Sequence, residues 1–426
     1  MTSISAGGPL RPTSFFPILI VAVVLTGFSQ GLLLPLLTVL LEQQGLSSGM
    51  NGLHAATMYV GVFVSMLFVE KPLARFGYRT MILGGMVIVL TASVLFPLFP
   101  NLWIWVALRF IIGFGESSLH YSTQLWVISS SSPASRGRNI ALYGMSYAIG
   151  FSIGPVGINL LAYGEWVPFA FIAASFLLSL LLVMRLPNEK PAAEEGSAAA
   201  ERGAAQDESA AASAKETGAR SAPPGNRYRR SVRLAWFALL PSFLYGYMEA
   251  TMNANFPVYG LRTGLTESWV SILLPAVGLG SLVLQLPLGM LSDRFGRKPV
   301  LITAALCGGA AFLAVPLAGD RVYVILFLLA FAGGLVGSFF SLGLAFLADL
   351  LPRSLLPAAN VLASLNYSFG SMAGPNLGGF GMQVLSLGAM FYALGGAFLL
   401  FGLLGFAFRS RRETAAPSAA SGGRAL

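Results

Sequence analysis

The chain has 426 residues, 55% of them hydrophobic and 10% charged, a mixture that a single water-soluble globule cannot hide. Its net charge of +9 comes from 26 bases against 17 acids, and its single cysteine, Cys307, excludes an internal disulfide framework and a cysteine-based metal site. Forty-nine glycines and 24 prolines suit transmembrane helices, where neighbouring segments re-satisfy the backbone.

At about twenty apolar residues per crossing, the sequence predicts twelve spans: 15–41, 52–70, 81–99, 102–128, 139–163, 166–185, 234–260, 268–291, 300–318, 321–348, 357–384 and 387–408. The first has no small-residue cleavage site near its end and reads as a retained span. Between the sixth and seventh, a stretch rich in Ala, Glu, Ser and Gly cannot bury a core. The expected organisation is a cytoplasmic tail (1–14), a six-helix bundle (15–185), a disordered cytoplasmic linker (186–233), a second six-helix bundle (234–408) and a cytoplasmic tail (409–426). The expected fold is therefore an all-α membrane protein of twelve transmembrane helices in two pseudo-symmetric six-helix bundles.

Basic residues stay on the cytoplasmic side of a membrane. With both termini inside, cytoplasmic segments hold 23 of the 26 bases, leaving Arg262 and Arg321 outside and Arg109 within a span. The net charge is thus a membrane signal and not a nucleic-acid one, and a multi-pass protein of the plasma membrane is expected. The halves also repeat. A shift of 219 residues lays "GL" at 45–46 on "GL" at 264–265 and "RFG" at 75–77 on "RFG" at 294–296; a shift of 220 lays "YAIGFSIGP" (147–155) on "YSFGSMAGP" (367–375). Two like halves in one orientation imply a pseudo-twofold axis along the membrane normal and a central cavity.

A charge at membrane depth costs roughly 2.5–3.5 kcal/mol on insertion scales, so each intramembrane ionisable residue is a functional candidate. In span 4, Arg109, Gly113, Glu116, His120 and Gln124 recur at spacings of four, three, four and four and share a helical face. Glu116 and His120, one turn apart, are placed to share a proton or pair structurally, whereas Arg109 needs a partner on another helix. In span 7, Tyr245, Glu249 and Asn253 share a face, and the repeat equivalent of Glu249 is Gln30. A carboxyl group at that depth keeps its proton more readily because its charged form loses hydration. Glu249 is the expected carrier of a coupling proton, with direct binding of a cationic substrate or pairing with a base as alternatives. Asn366 and Tyr367 in span 11, Ser146 and Tyr147 in span 5, and Asn255 and Asn376 are weaker cavity candidates that interhelical hydrogen bonding would equally explain.

Spans 5 and 11 carry Gly150, Gly154 and Pro155, and Gly370, Gly374 and Pro375, where glycines four apart allow close helix approach and proline bends the helix. Between spans 8 and 9 lies "GMLSDRFGRKPV", with Gly289, Asp293, Arg294, Gly296, Arg297 and Lys298. It resembles the loop signature G-x-L-x-D-R-x-G-R-K of the major facilitator superfamily. "RFIIGFG" (109–115) is similar to that superfamily's R-x-x-x-G-x-G pattern, and "GSMAGPNLGG" (370–379) resembles the G-x-x-x-G-P-x-x-G-G motif of drug:proton antiporters. The equivalent first-half loop, "EKPLARFGYRT", has Ala74 where Asp would stand and Glu70 where Gly would, and the antiporter motif sits in span 11 instead of span 5. The charged loop is expected to act as a cytoplasmic latch, with Asp293 capping a facing helix and pairing with an arginine; a topology anchor for anionic lipid is the alternative.

The resemblance implies a proton-coupled secondary transporter of a small organic solute working by alternating access, in the exporting direction. A solute:proton uptake symporter and a non-transporting membrane sensor are the alternatives. The expected partners are the solute, protons and the lipid bilayer, with no nucleic acid, and the chain is expected to be a monomer. No cofactor or metal is expected. An enzyme is the least expected class: there is no Gly-Lys-Ser/Thr phosphate loop, His54 and His120 are the only histidines, and Cys307 has no visible partner.

Overall fold

The computed structural model describes residues 15–132, 135–191 and 227–408. Both expected tails, and residues 192–226 of the expected linker, lie outside the described residues. The described residues contain fourteen α-helices, three 3-10 segments and no strand. The first half holds α1 (Phe15–Gln43), α2 (Ser48–Phe68), α3 (Glu70–Phe76), α4 (Tyr78–Leu98), α5 (Leu102–Ser130), α6 (Arg136–Ile153) and α7 (Val167–Val183). The second half holds α8 (Arg227–Arg262), α9 (Glu267–Phe295), α10 (Arg297–Ala314), α11 (Val322–Val336), α12 (Phe339–Leu350), α13 (Leu356–Val384) and α14 (Ala389–Ala407).

Nine helical segments among the described residues are long and apolar enough to cross a membrane; α7 is apolar but shorter. The polar residues that dilute α8 and α13 include Glu249, Asn253, Asn255, Asn360, Asn366 and Asn376. The buried apolar side chains form two clusters, one between Leu19 and Leu186 and the other between Ala235 and Phe408, so each half has its own core.

Several predicted edges move. The span predicted at 139–163 is α-helical only to Ile153 and then tightens into a 3-10 helix over Gly154–Tyr163, beginning where Pro155 removes a backbone donor. The span predicted at 321–348 breaks between α11 and α12, where Gly337 lies against Ser281. The linker starts later than expected. Leu186 is buried, Asn188 Nδ2 donates to the Phe76 carbonyl (2.9 Å), and Glu189 accepts from Trp126 Nε1 (2.9 Å) and from the Tyr78 amide (2.8 Å). It also ends earlier, because α8 begins at Arg227 and is interrupted at Ala235 (φ −135°, ψ 28°).

The repeat is visible in backbone detail. Gly77 and Gly296, one shift of 219 apart, have φ of 85° and 93° with ψ of 168° and 151°, a region that essentially only glycine occupies. Ser47 and Thr266, also 219 apart, cap α2 and α9 by accepting from the Met50 and Trp269 amides. Gly150 packs on Val24 and Phe28 of α1 as Gly370 packs on Phe243 and Tyr247 of α8; in both pairs an added Cβ would stand 2.9 Å from the amide of the second residue.

The halves meet mainly through α2 against α13, α1 against α8, and α9 against α6 and the 3-10 segment. Polar ties between them gather at the end opposite the basic loops: Arg262 with Glu42 (2.6 Å) and the Leu46 carbonyl (3.1 Å), Gln43 with Glu267 (2.5 Å), Asn159 with Ser271 (2.8 Å), and the Gly49 amide with Gln383 (3.2 Å). Partly exposed ion pairs contribute about 0.2–1 kcal/mol. Glu42→Gln or Arg262→Gln is therefore expected to raise the reactivity of a cysteine placed at Asn159 about 1.4- to 5-fold. A double variant no more reactive than either single one is the matching expectation, and additive effects would show that the two side chains act separately.

Candidate functional site

Where the halves face each other, the structure assembles two repeat-related pairs. In the first half, the Tyr147 hydroxyl on α6 donates to Gln30 Oε1 on α1 (2.6 Å). In the second half, the Tyr367 hydroxyl on α13 donates to Glu249 Oε2 on α8 (3.1 Å). A shift of 219 residues takes Gln30 to Glu249, and one of 220 takes Tyr147 to Tyr367. The same scaffold thus holds a neutral amide on one side and an acid on the other.

Each pair sits in an aromatic setting. His120 of α5 stands edge-on to the Tyr147 ring (centroids 4.7 Å apart), and its repeat equivalent, Phe340 of α12, stands edge-on to Tyr367 (5.8 Å). Tyr245 stacks on Tyr367 (6.0 Å) and lies near Phe340 (6.2 Å). Glu249 interacts electrostatically with Tyr59, Tyr147, Tyr245 and Tyr367, so tyrosines of both halves surround one carboxyl group. Gln30, His120, Tyr147, Tyr245, Glu249 and Tyr367 are each only partly buried, as expected of a cavity wall.

The expected Glu116–His120 pair is not formed. His120 Nε2 lies 3.3 Å from Gln30 Oε1 and its Nδ1 lies 3.5 Å from the Tyr143 hydroxyl, contacts that an Nε2–H tautomer satisfies together. One turn separates Glu116 from His120, but α1 and α6 offer partners only at the level of His120. Glu116 is buried at 2% exposure and neither carboxyl oxygen has a hydrogen-bond partner among the described residues. Arg109 does find another helix: its Nη2 donates to the Leu34 carbonyl of α1 (3.4 Å). Gln124 is exposed, unlike Arg109 and Glu116 on its sequence face.

Asn253 donates to the Glu249 carbonyl (2.8 Å) and Asn366 to the Leu239 carbonyl (3.3 Å), so these two cavity candidates bond to backbone. Asn255 bridges to the Gly374 (3.3 Å) and Pro375 (3.2 Å) carbonyls, tying α8 to the proline-containing stretch of α13. Sequence reasoning passed over His54 and Tyr59 of α2, Tyr143 of α6 and Phe340. His54 is buried and interacts electrostatically with Arg109. The signal for these was the repeat. Gly113 presses on the Met58 carbonyl as Gly333 presses on that of Val277, which fixes the register. In that register His54, Arg109, Glu116 and His120 correspond to Leu273, Leu329, Val336 and Phe340. The fold accepts apolar residues at all four places, so the polar set of the first half is not a requirement of the architecture.

At the basic end, Asp293 pairs with Arg297 (2.5 Å), which also faces Asp349 of α12 (3.5 Å) and bonds to Ser292. These contacts lie within the second half, and Asp293 is 67% exposed, so the expected cap on a facing helix is not in place; the ties between halves are at the opposite end. Arg294 lies over the Phe295 ring (5.3 Å), and a Cβ at Gly289 would meet no atom within 4 Å.

Two like helical halves meeting around polar and aromatic side chains are the architecture of a membrane transporter, and the family match and relatives make the chain a transporter and not an enzyme. The chain belongs to the major facilitator superfamily: the sequence model of the Major Facilitator Superfamily matches residues 19–280 and 242–425. A relative from Bacillus subtilis (strain 168), the uncharacterized MFS-type transporter YfkF, is 38% identical over 88% of this chain and 91% of its own length. The uncharacterized MFS-type transporter YcaD of Salmonella enteritidis PT4 (strain P125109) is 24% identical over 85% and 88%. Among solved structures, a D-xylose-proton symporter has a TM-score of 0.72 at 17% identity, covering 94% of this chain and 98% of that one. The nucleoside transporter NupG has a TM-score of 0.69 at 12% identity over 92% and 98%. At these identities the likeness is one of fold.

Proposed function

We propose that this chain is a proton-coupled secondary transporter that exports a small organic solute by alternating access, with Glu249 as the proton-carrying group. The observation that carries the reading is the Tyr367–Glu249 pair set against its neutral counterpart, Tyr147–Gln30. Of the two pseudo-symmetric pairs, only Tyr367–Glu249 contains a carboxyl group; the first-half pair is built on a neutral amide, with the His120 imidazole beside it. Of the first-half candidates, His120 is the one that extends the polar wall, whereas Glu116 and Arg109 lie buried behind it. The glycine motif of α13, packed on α8 beside Glu249, resembles that of drug:proton antiporters, but its place in span 11 instead of span 5 weakens the case it makes for export.

In this reading the monomer crosses the plasma membrane twelve times, as two six-helix bundles with both termini cytoplasmic; the distribution of bases supports that orientation. The ties Glu42–Arg262 and Gln43–Glu267 then close the outer end. The loop at Asp293, paired only within its own half, and Gly289, in open space, fit a cytoplasmic mouth that stands open. Closing that mouth would bring the charged loop against the first half. Asp293→Asn leaves Arg297 one carboxylate partner, Asp349, and is expected to slow turnover while preserving substrate affinity; wild-type turnover would reduce the loop to a topology anchor.

The test is a proteoliposome assay of proton flux on addition of organic solutes, with the pH gradient imposed in either direction. Solute movement opposite to the proton supports export, movement in the same direction establishes uptake, and absence of any flux leaves the sensor reading.

A further inference from the structure

We propose that residues 227–236 form an interfacial anchor that binds anionic phospholipid headgroups at the start of the helix bearing Glu249. The stretch reads "RYRRSVRLAW", with four arginines and no acid, whereas the repeat-related residues 8–17 hold one base, Arg11. The repeat therefore does not demand this cluster. The helix geometry sorts its side chains. Ser231 is fully buried and its hydroxyl donates to the Arg227 carbonyl (2.9 Å), fixing the inner face. Tyr228 and Val232, one turn apart, are 38% and 42% exposed, and Arg227, Arg229, Arg230 and Arg233 are exposed around the remaining surface.

An apolar edge beside a basic one suits the boundary between acyl chains and headgroups. At Ala235 the backbone leaves helical geometry (φ −135°, ψ 28°), which frees the first turns of α8 from the direction of the long segment that follows. Just past the break, Trp236 (39% exposed) stands edge-on to Phe408 (5.6 Å), whose carbonyl accepts from Lys298 Nζ (2.6 Å). A fifth base thus adjoins the patch, and an indole at the apolar edge is a typical interfacial anchor. Charge complementarity selects an anionic surface, and the exposed apolar side chains of Val232 and Trp236 select lipid over a soluble acidic partner, which would leave them in water.

The experiment uses the full chain, with Cys307→Ser and Val232→Cys carrying a spin label, in vesicles of phosphatidylcholine alone or mixed with phosphatidylglycerol. Oxygen and nickel-chelate collision rates are expected to place the label in the apolar layer when phosphatidylglycerol is present and nearer water without it. In parallel, phosphatidylglycerol retained by the purified protein, weighed by native mass spectrometry, is expected to fall about five-fold for each arginine replaced by glutamine. Equal depth of the label in both vesicles, or unchanged retention in the fourfold arginine variant, would each overturn the proposal. The label measurement keeps every arginine, so a folding defect in the charge variants does not protect the idea. Neither readout depends on transport, so failure here leaves the proposed function standing.

Discussion

Glu249→Gln is expected to abolish uphill movement of solute while the protein still reaches the membrane and binds its substrate. Glutamine retains an oxygen that can accept from Tyr367, as Gln30 accepts from Tyr147 at 2.6 Å, so the variant copies a geometry the molecule already uses. What it removes is the exchangeable proton. A proton crossing about 100 mV contributes ~2.3 kcal/mol, a concentration ratio of about fifty-fold, and the variant is expected to bring that ratio to unity. Tyr367→Phe, which deletes only the donor, is expected to shift the pH at which flux is half-maximal without abolishing it. The measurement is solute accumulation in vesicles under an imposed pH gradient. Full gradient-driven flux in Glu249→Gln would remove this residue from the mechanism.

Gly52→Val is expected to produce a folded transporter that cannot close the end bearing the Glu42–Arg262 tie. A Cβ on Gly52 would overlap the Pro375 carbonyl, and Gly379 is equally tight against Ser48, so α2 and α13 touch here through backbone. The clash is between the halves, and the separate cores around Leu19–Leu186 and Ala235–Phe408 are left intact. Overpacking costs about 1–3 kcal/mol, which tilts the balance between the two end states about five- to 150-fold away from this one. Reactivity of a cysteine at Asn159 toward an impermeant reagent is expected to rise accordingly, with turnover falling in parallel. Wild-type reactivity and turnover would show that the seam at Gly52 is not the closing surface.

Much of this was legible along the chain. The apolar runs, the basic loops and the 219-residue shift locate the helices and the likeness of the halves, because hydration cost and the period of the helix act residue by residue. Glu249 could be singled out because a carboxyl group at membrane depth is costly wherever its partners lie. The Glu116–His120 pair misled, since a one-turn spacing states only that two side chains can meet; α1 and α6 gave His120 other partners, Gln30 and Tyr143. Tyr147 and Tyr367 were aligned by the repeat, but that they donate to Gln30 and Glu249 depends on α6 crossing α1 and α13 crossing α8 at glycines.

Composition and periodicity, then, were sufficient for the kind of molecule, its duplicated plan and the two acids, Glu116 and Glu249, that have no cheap reason to be there. Which tyrosines face Glu249 and which end of the molecule carries the ties between the halves were decided by packing. These depend on contacts between residues more than a hundred positions apart. No local pattern encodes such a contact, because its energy is realised only when two helices have already been brought together.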